Sequence, residues 1–252
     1  MKIVAIMGSP KGKGSGYTVV REIERHMNDL GEVEFEYIFL KDANLGMCKG
    51  CFSCVPQGED RCPLQDDRAT IEEKMLRADG LILSSPIYVY NVSWLMKNFI
   101  DRFMYTHHRP RFFRQKTMLV LNSNGVGWKQ AFVALRQALG GASIVHELSV
   151  STPAYPVKNE RAVRRSKKAI QIGAEKLYKA CLNRRLPQPG IKDYLIFRVF
   201  QGGFTEAKEL VPACYQYYRG KTYYYEAKIG PVKKLIAAIA LPLVGFVAKH
   251  LL

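Results

Sequence analysis

With 252 residues, 48% of them hydrophobic and 24% charged, the chain can bury a full core and has the make-up of an ordinary globular protein. Met1-Lys2 runs straight into the apolar Ile3-Val4-Ala5-Ile6-Met7, so no signal peptide is expected, and the expectation is a cytoplasmic chain with reduced thiols and no disulfide scaffold. The formal charge of +16 is lopsided, because residues 1–105 carry 13 Lys and Arg against 15 Asp and Glu while residues 106–252 carry 25 against 7. That imbalance points to an anionic partner for the second half, the plain alternative being a solvated basic face.

In chain order, Lys2–Met7 is a continuous apolar run, as in a parallel strand buried on both faces. Residues 17–30 read as a helix with Val19, Val20, Ile23 and Met27 on one face and Gly31 beyond its end. Residues 33–40 alternate apolar and polar, which predicts a half-exposed strand. Asp66 or Asp67 is placed to cap a helix running to about Arg77. A short buried strand (80–84), a helix (92–103), a strand (116–122), a helix (130–139), a strand (143–150) and a long basic helix (161–182) follow. The alternation predicts an α/β fold, a doubly wound five-stranded parallel sheet whose ligands bind outside the carboxyl ends of the strands. After Pro187-Gln188-Pro189-Gly190 the pattern breaks down. The expected organisation is therefore a domain over residues 1–185 and a basic, Tyr-rich extension with an apolar tail over 186–252.

Three loops and one cysteine run carry the unusual residues. Gly8 to Thr18 leaves a buried strand and enters a helix; glycines let its N–H groups converge, hydroxyls add donors, and the helix dipole favours an anion. It has neither the G-x-x-x-x-G-K-[ST] nor the G-x-G-x-x-G order, so it suits a phosphate monoester better than a nucleotide di- or triphosphate. The segment from Pro86 through Ile87, Tyr88, Val89, Tyr90 and Asn91 to Ser93 follows another buried strand. There Pro86 sets the chain direction, and Tyr88 or Tyr90 could stack on a flat ring or simply pack. Asn122-Ser123-Asn124-Gly125-Val126-Gly127-Trp128 would complete the pocket, with Trp128 covering it or capping the next helix.

Cys48, Cys51, Cys54 and Cys62 form a C-x2-C-x2-C-x7-C run. Soft thiolates at this spacing can surround a [4Fe–4S] cluster, with Gly50 and Gly58 relieving crowding and Pro63 following the last ligand. Zinc, or thiols without any metal, are the other two readings. Cys181 and Cys214 are isolated and expected to be buried small hydrophobes. His26, His107, His108, His146 and His250 show neither ligand nor triad spacing, so no catalytic acid, base or nucleophile is assigned.

The first loop, the cysteine run, and Ser85-Pro86-Ile87-Tyr88 with Leu95, Lys97, Phe99, Ile100, Asp101 and Arg102 together resemble the NAD(P)H-dependent FMN reductase group of flavodoxin-like proteins. Within it, the cysteine run is similar to that of the iron–sulfur flavoproteins. The resemblance covers roughly residues 1–180. It implies a flavodoxin-like fold and an FMN phosphate held by Ser9, Lys11, Ser15, Gly16 and Thr18. It also implies that Pro86, Ile87, Tyr88, Tyr90, Asn91, Asn122, Asn124 and Gly125 line the flavin ring. NAD(P)H as co-substrate and a homo-oligomer are further implications. The loop is longer than the family form and has Ser15-Gly16-Tyr17-Thr18 where Gly-Asn-Thr is common, leaving Lys11 and Lys13 as the two candidates for the phosphate. The implied activity is an FMN-dependent NAD(P)H oxidoreductase that passes electrons, through a cluster if one is held, to a quinone or electron carrier. The rivals are a flavodoxin-like electron carrier without nicotinamide turnover and a membrane- or partner-binding flavoprotein.

Residues 235–248 are uncharged, between Lys233-Lys234 and Lys249-His250. A spanning helix needs ~20 apolar residues, so this stretch is too short, and Pro242 would kink it. It is expected to be buried against the first domain or across a dimer, or else to rest on an anionic membrane surface, which would put the protein at the inner face of the membrane. An acidic electron-transfer partner is the other candidate for the basic half. Tyrosines and cations interleave over residues 215–228, but no nucleic-acid-binding module accompanies them, and no nucleic acid is expected.

Overall fold

In the computed structural model, which describes residues 1–123, 126–151 and 160–251, the apolar runs become a parallel sheet. Its strands are β1 (Lys2–Met7), β2 (Glu34–Phe39), β3 (Gly80–Tyr88), β5 (Lys116–Ser123) and β6 (Ser143–Ser151), in the order β2-β1-β3-β5-β6. A two-residue strand, β4 (Asn91–Val92), turns back antiparallel on the end of β3. The chain thus begins in mid-sheet, winds outward to β2, then reverses across β1 to β3. That reversal opens a crevice at the carboxyl ends of β1 and β3, where ligands of such sheets sit.

Burial explains the arrangement. Residues 3–7 and 118–121 are fully buried because helices cover both faces of the central strands. Ile3, Ala5 and Met7 meet Val20, Ile23 and Met27 of α1 (Ser15–Asn28) and Ala174 and Leu177 of α5 (Glu160–Leu182) in one cluster. The edge strand β2 is mostly half-exposed, as its alternation predicts, and Glu34 and Glu36 pair with Lys2 across the register. The remaining helices of this unit are α2 (Arg68–Arg77), α3 (Trp94–Arg102) and α4 (Trp128–Arg136). Strand β3 runs four residues past the expected end at Ser84 because its last residues keep partners, Pro86 opposite Asn122 of β5 and Tyr88 opposite Asn91 of β4.

Two compact units emerge: residues 1–49, 64–107 and 111–185, and residues 50–63, 108–110 and 186–252. The second contains α6 (Ile191–Glu206), α7 (Pro212–Tyr218) and α8 (Pro231–Leu251). Its tyrosines are packing residues: Tyr194, Phe197, Tyr218, Tyr223 and Ala237 form its core, and the Phe197 ring lies 5.0–5.5 Å from those of Tyr218, Tyr223 and Tyr224. Arg109, buried, ties the early segment to the late one. Its guanidinium donates to the carbonyls of Val55 and Cys54, both at 2.6 Å, and to Cys214 Sγ at 3.2 Å, and it pairs with Glu59 at 2.8 Å. The Ala213 N–H donates to the Pro56 carbonyl at 3.0 Å. Among the described residues no helix is long and apolar enough to cross a membrane.

Candidate cofactor site

The first loop is fastened from below. The Gly8 N–H donates to the Ser84 carbonyl at 2.8 Å, and Ser93 Oγ donates to the Gly8 carbonyl at 2.5 Å. Ser93 Oγ also accepts from the Met96 N–H at 3.2 Å as the N-cap of α3, while the Ser93 N–H donates to Ser85 Oγ at 3.0 Å. Two buried serines thereby join the first and second loops. A Cβ on Gly8 would lie 2.9 Å from Met96 Cβ, so only glycine fits. The loop then curls on itself: Lys11 N–H to Ser9 Oγ at 3.3 Å, Gly12 N–H to the Ser9 carbonyl at 3.1 Å, Gly14 N–H to the Gly12 carbonyl at 2.8 Å.

Helix α1 starts at Ser15 after Gly14, with no side-chain cap and no acidic residue in its first turn. An α-helix leaves its first N–H groups without intrahelical partners and its N-terminus partly positive, so an uncapped, acid-free start in a glycine loop suits an anion. Ser15 and Thr18 are exposed and Gly16 is buried, where a Cβ would lie 2.8 Å from Asn122 Oδ1. Asn122 Nδ2 donates to Ser15 Oγ at 3.3 Å, linking β5 to the same helix start. Ser9, Lys11, Ser15, Gly16 and Thr18 thus stand together at the end of β1, with Lys11 and Lys13 both exposed. Thr18 Oγ1 turns back to the Gly14 carbonyl at 3.5 Å. A phosphate monoester fits this cradle.

Pro86, Ile87 and Tyr88 end β3, Asn91 opens β4, and Val89 and Tyr90 form the turn between them. Both turn residues have positive φ, 46° and 62°, as a two-residue primed turn requires. Such turns ordinarily carry Asn-Gly, and a β-branched residue in the left-handed region is strained. Val89 is 95% exposed, and Tyr88, Tyr90, Trp94 and Val126 are exposed as well. The hairpin rests on Gly127, the N-cap of α4 (φ 86°), where a Cβ would meet the Tyr90 Cα at 3.0 Å. The second and third loops therefore converge. Of the expected ring-lining residues, Asn124 and Gly125 lie outside the described residues.

Cys48 belongs to the first unit, and Cys51, Cys54 and Cys62 to the second. In the first, the Cys48 N–H donates to Asn98 Oδ1 at 2.9 Å, and Asn98 Nδ2 reaches the carbonyls of Leu45 and Gly46. Arg102, buried, donates to the Gly46 carbonyl at 2.8 Å and forms a two-pronged pair with Asp66 at 2.6 and 2.8 Å. Burial opposes charge on Asp66, but the Arg102 guanidinium and the Arg68 and Gly46 N–H groups outweigh it and hold the carboxyl below its ordinary range. In the second unit Cys51 is exposed and Cys54 and Cys62 are half-buried, along a segment with positive φ at Gly50, Phe52 and Gly58. Among the described residues, no three His, Cys, Asp or Glu side chains gather as a metal-holding group. The thiol chemistry suits a soft metal, and no electron-transfer step is assigned to it. Cys181 and Cys214 are buried as expected, and burial pushes the Cys181 thiol up to about 12.

Sequence reasoning missed the Ser85–Ser93 fastening, the Val89–Tyr90 turn and the Asn98 and Arg102 contacts. Only the first carried a readable signal, a serine at the N-cap position before an apolar helix.

The family model described as NADPH-dependent FMN reductase matches residues 1–160. An iron–sulfur flavoprotein of Methanocaldococcus jannaschii is 41% identical over 102 residues, 40% of this chain and 51% of that protein. An iron–sulfur flavoprotein of Archaeoglobus fulgidus is 33% identical over 165 residues, 62% of this chain and 79% of that protein. The chain therefore spans about half the length of the first relative. The solved NAD(P)H:quinone oxidoreductase of Methanothermobacter marburgensis superposes with a TM-score of 0.56 at 16% identity, over 70% of this chain and 96% of that one. At that identity the likeness shows the fold alone.

Proposed function

The chain belongs to the NADPH-dependent FMN reductase family, and on that premise we propose that it is an FMN-dependent NAD(P)H oxidoreductase. The observation that carries the reading is the acid-free, uncapped start of α1 inside a glycine cradle at the end of β1. Ser9, Lys11, Ser15, Gly16 and Thr18 would hold the flavin phosphate. Pro86, Ile87, Tyr88, Tyr90, Asn91 and Asn122, with Asn124 and Gly125, would border the ring. FMN held by these residues would supply hydride and electron-transfer chemistry between NAD(P)H and an acceptor. The protein's part is to grip the phosphate, orient the ring against the β3–β4 hairpin and keep water from one of its faces; no acid–base pair is required and none is assigned.

The finer parts of the proposal are a [4Fe–4S] cluster on Cys48, Cys51, Cys54 and Cys62, a quinone or one-electron carrier as acceptor, and a homo-oligomer. A cytoplasmic protein whose basic half meets an anionic membrane surface or an acidic electron-transfer partner completes it. Cysteine spacing and the names of the relatives support the cluster, and the charge of the second half supports the anionic partner. Anaerobic purification followed by a visible spectrum and an iron and sulfide assay tests cofactor content. Flavin bands with about four irons per chain are expected. Flavin without iron removes the cluster and leaves the reductase; no flavin overturns the reading. Stopped-flow mixing with NADH and NADPH then separates a reductase, whose flavin bleaches, from a carrier, whose flavin does not.

A further inference from the structure

Over residues 231–241, helix α8 is turned inside out. Among the described side chains, its inner side contributes Ala237, fully buried, and the partly buried Leu241 to the core of the second unit. Its outer side carries Val232, Leu235, Ile236 and Ile239, spaced i, i+3, i+4 and i+7, at 66%, 62%, 41% and 62% exposure. A helix of a water-soluble unit normally buries its larger apolar side chains and exposes its small or polar ones. Here four branched residues face outward in one row, and the uncharged sequence continues through Ala248. Helix α6 of the same unit adds a second exposed apolar surface, a groove of about 440 Å³ bordered by Ile191, Leu195, Ile196, Val199 and Phe200. Exposed apolar surface of this kind marks a contact site.

The charges around it select the partner. Residues 186–252 hold nine Lys and Arg against four Asp and Glu, and α8 has no acidic residue at all. Lys192, Lys228 and Lys234 are exposed beside these helices, and the half-buried Lys233 reaches the Pro189 carbonyl at 2.7 Å. An apolar row on a unit with this excess of lysines and arginines, in a chain of formal charge +16, repels a second copy of itself and attracts an anionic bilayer. The fourteen uncharged residues give roughly 21 Å of helix at 1.5 Å each, short of the ~30 Å hydrocarbon core. We propose that α8 lies in the plane of an anionic lipid surface, with Val232, Leu235, Ile236 and Ile239 among the acyl chains and the lysines at the phosphates. This surface stands apart from the flavin chemistry, and its test needs no turnover.

The test is co-sedimentation of the full-length flavin-bound chain with vesicles of phosphatidylcholine alone or with ~30% phosphatidylglycerol, together with light scattering of the chain without lipid. The expected result is binding to the anionic vesicles, at least tenfold weaker on phosphatidylcholine. The double variant Leu235→Gln/Ile239→Gln, altered only at exposed positions, should lose a further tenfold on anionic vesicles while keeping its far-ultraviolet circular dichroism. Binding that the glutamines leave unchanged would mean adhesion by charge alone and would overturn the proposal. A chain that ignores vesicles, and whose glutamine variant falls from oligomer to monomer, would assign the face to a contact between copies and would overturn it equally.

Discussion

Ser15 is where the demands of the helix and of its ligand part company. An acidic side chain in the first turn favours the helix dipole by about 0.3–1 kcal/mol, yet α1 has none there. Ser15→Asp should therefore stabilise the chain slightly in thermal unfolding and weaken FMN binding by at least tenfold in a fluorescence titration. If both rise together, the anion does not sit at this helix start. Val89 poses the complementary case. Its β-branched side chain is almost wholly exposed and gains little packing in a left-handed turn that glycine adopts without strain. Val89→Gly should stabilise the unliganded chain by about 1 kcal/mol in urea denaturation. These two residues also mark how legible the site was. The Gly8–Thr18 loop announces itself because phosphate cradles need small and hydroxylic residues in a set context. The primed turn carries none of the Asn-Gly chemistry that normally reveals one, so residues 86–93 read only as a loop.

The Arg102–Asp66 pair ties the end of α3 to the turn before α2; its side chains are 1% and 5% exposed, and the same guanidinium holds the Gly46 carbonyl. Removing one partner of such a pair leaves a buried charge alone, a loss of about 3–5 kcal/mol. Arg102→Met should lower stability by that order in urea at pH 7. The sign with pH follows from the depressed Asp66 carboxyl: its contribution is complete above the ordinary carboxylate range and is lost as pH falls through the lower folded value. The stability advantage of the wild-type chain over an Asp66→Asn variant should therefore be full near pH 7 and shrink as pH falls below the ordinary carboxylate range, in urea denaturation at stepped pH. At this scale the sequence was most informative for β1, β3 and β5, where burial on both faces demands uninterrupted apolar runs. It was least informative for α6, whose apolar residues lie all round the helix, and for α8, where Val232, Leu235, Ile236 and Ile239 face outward.

Across the whole molecule the linear order of the sequence and the order of packing diverge. Residues 50–63 and 108–110 belong to a unit otherwise made of residues 186–252, and no local pattern could have revealed this, because Arg109 and Cys214 bring their partners from far along the chain. Arg109→Met should leave the parallel sheet intact while speeding amide exchange at Val55 and Glu59 by tenfold or more, measured by hydrogen exchange with mass spectrometry. Unchanged exchange there would mean that the contacts of α7 suffice to hold the segment.

The link between Val55 and Cys214 spans 159 residues. During synthesis at ~5–20 residues per second, the segment bearing Cys51, Cys54 and Cys62 waits roughly 8–30 s for its buttress to leave the ribosome. Through that interval three thiols stand on a segment that Arg109 can reach early but against which α7 has not yet packed. Iron or oxidant delivered in that interval would meet the cysteine segment before the Val55–Cys214 and Pro56–Ala213 contacts can form.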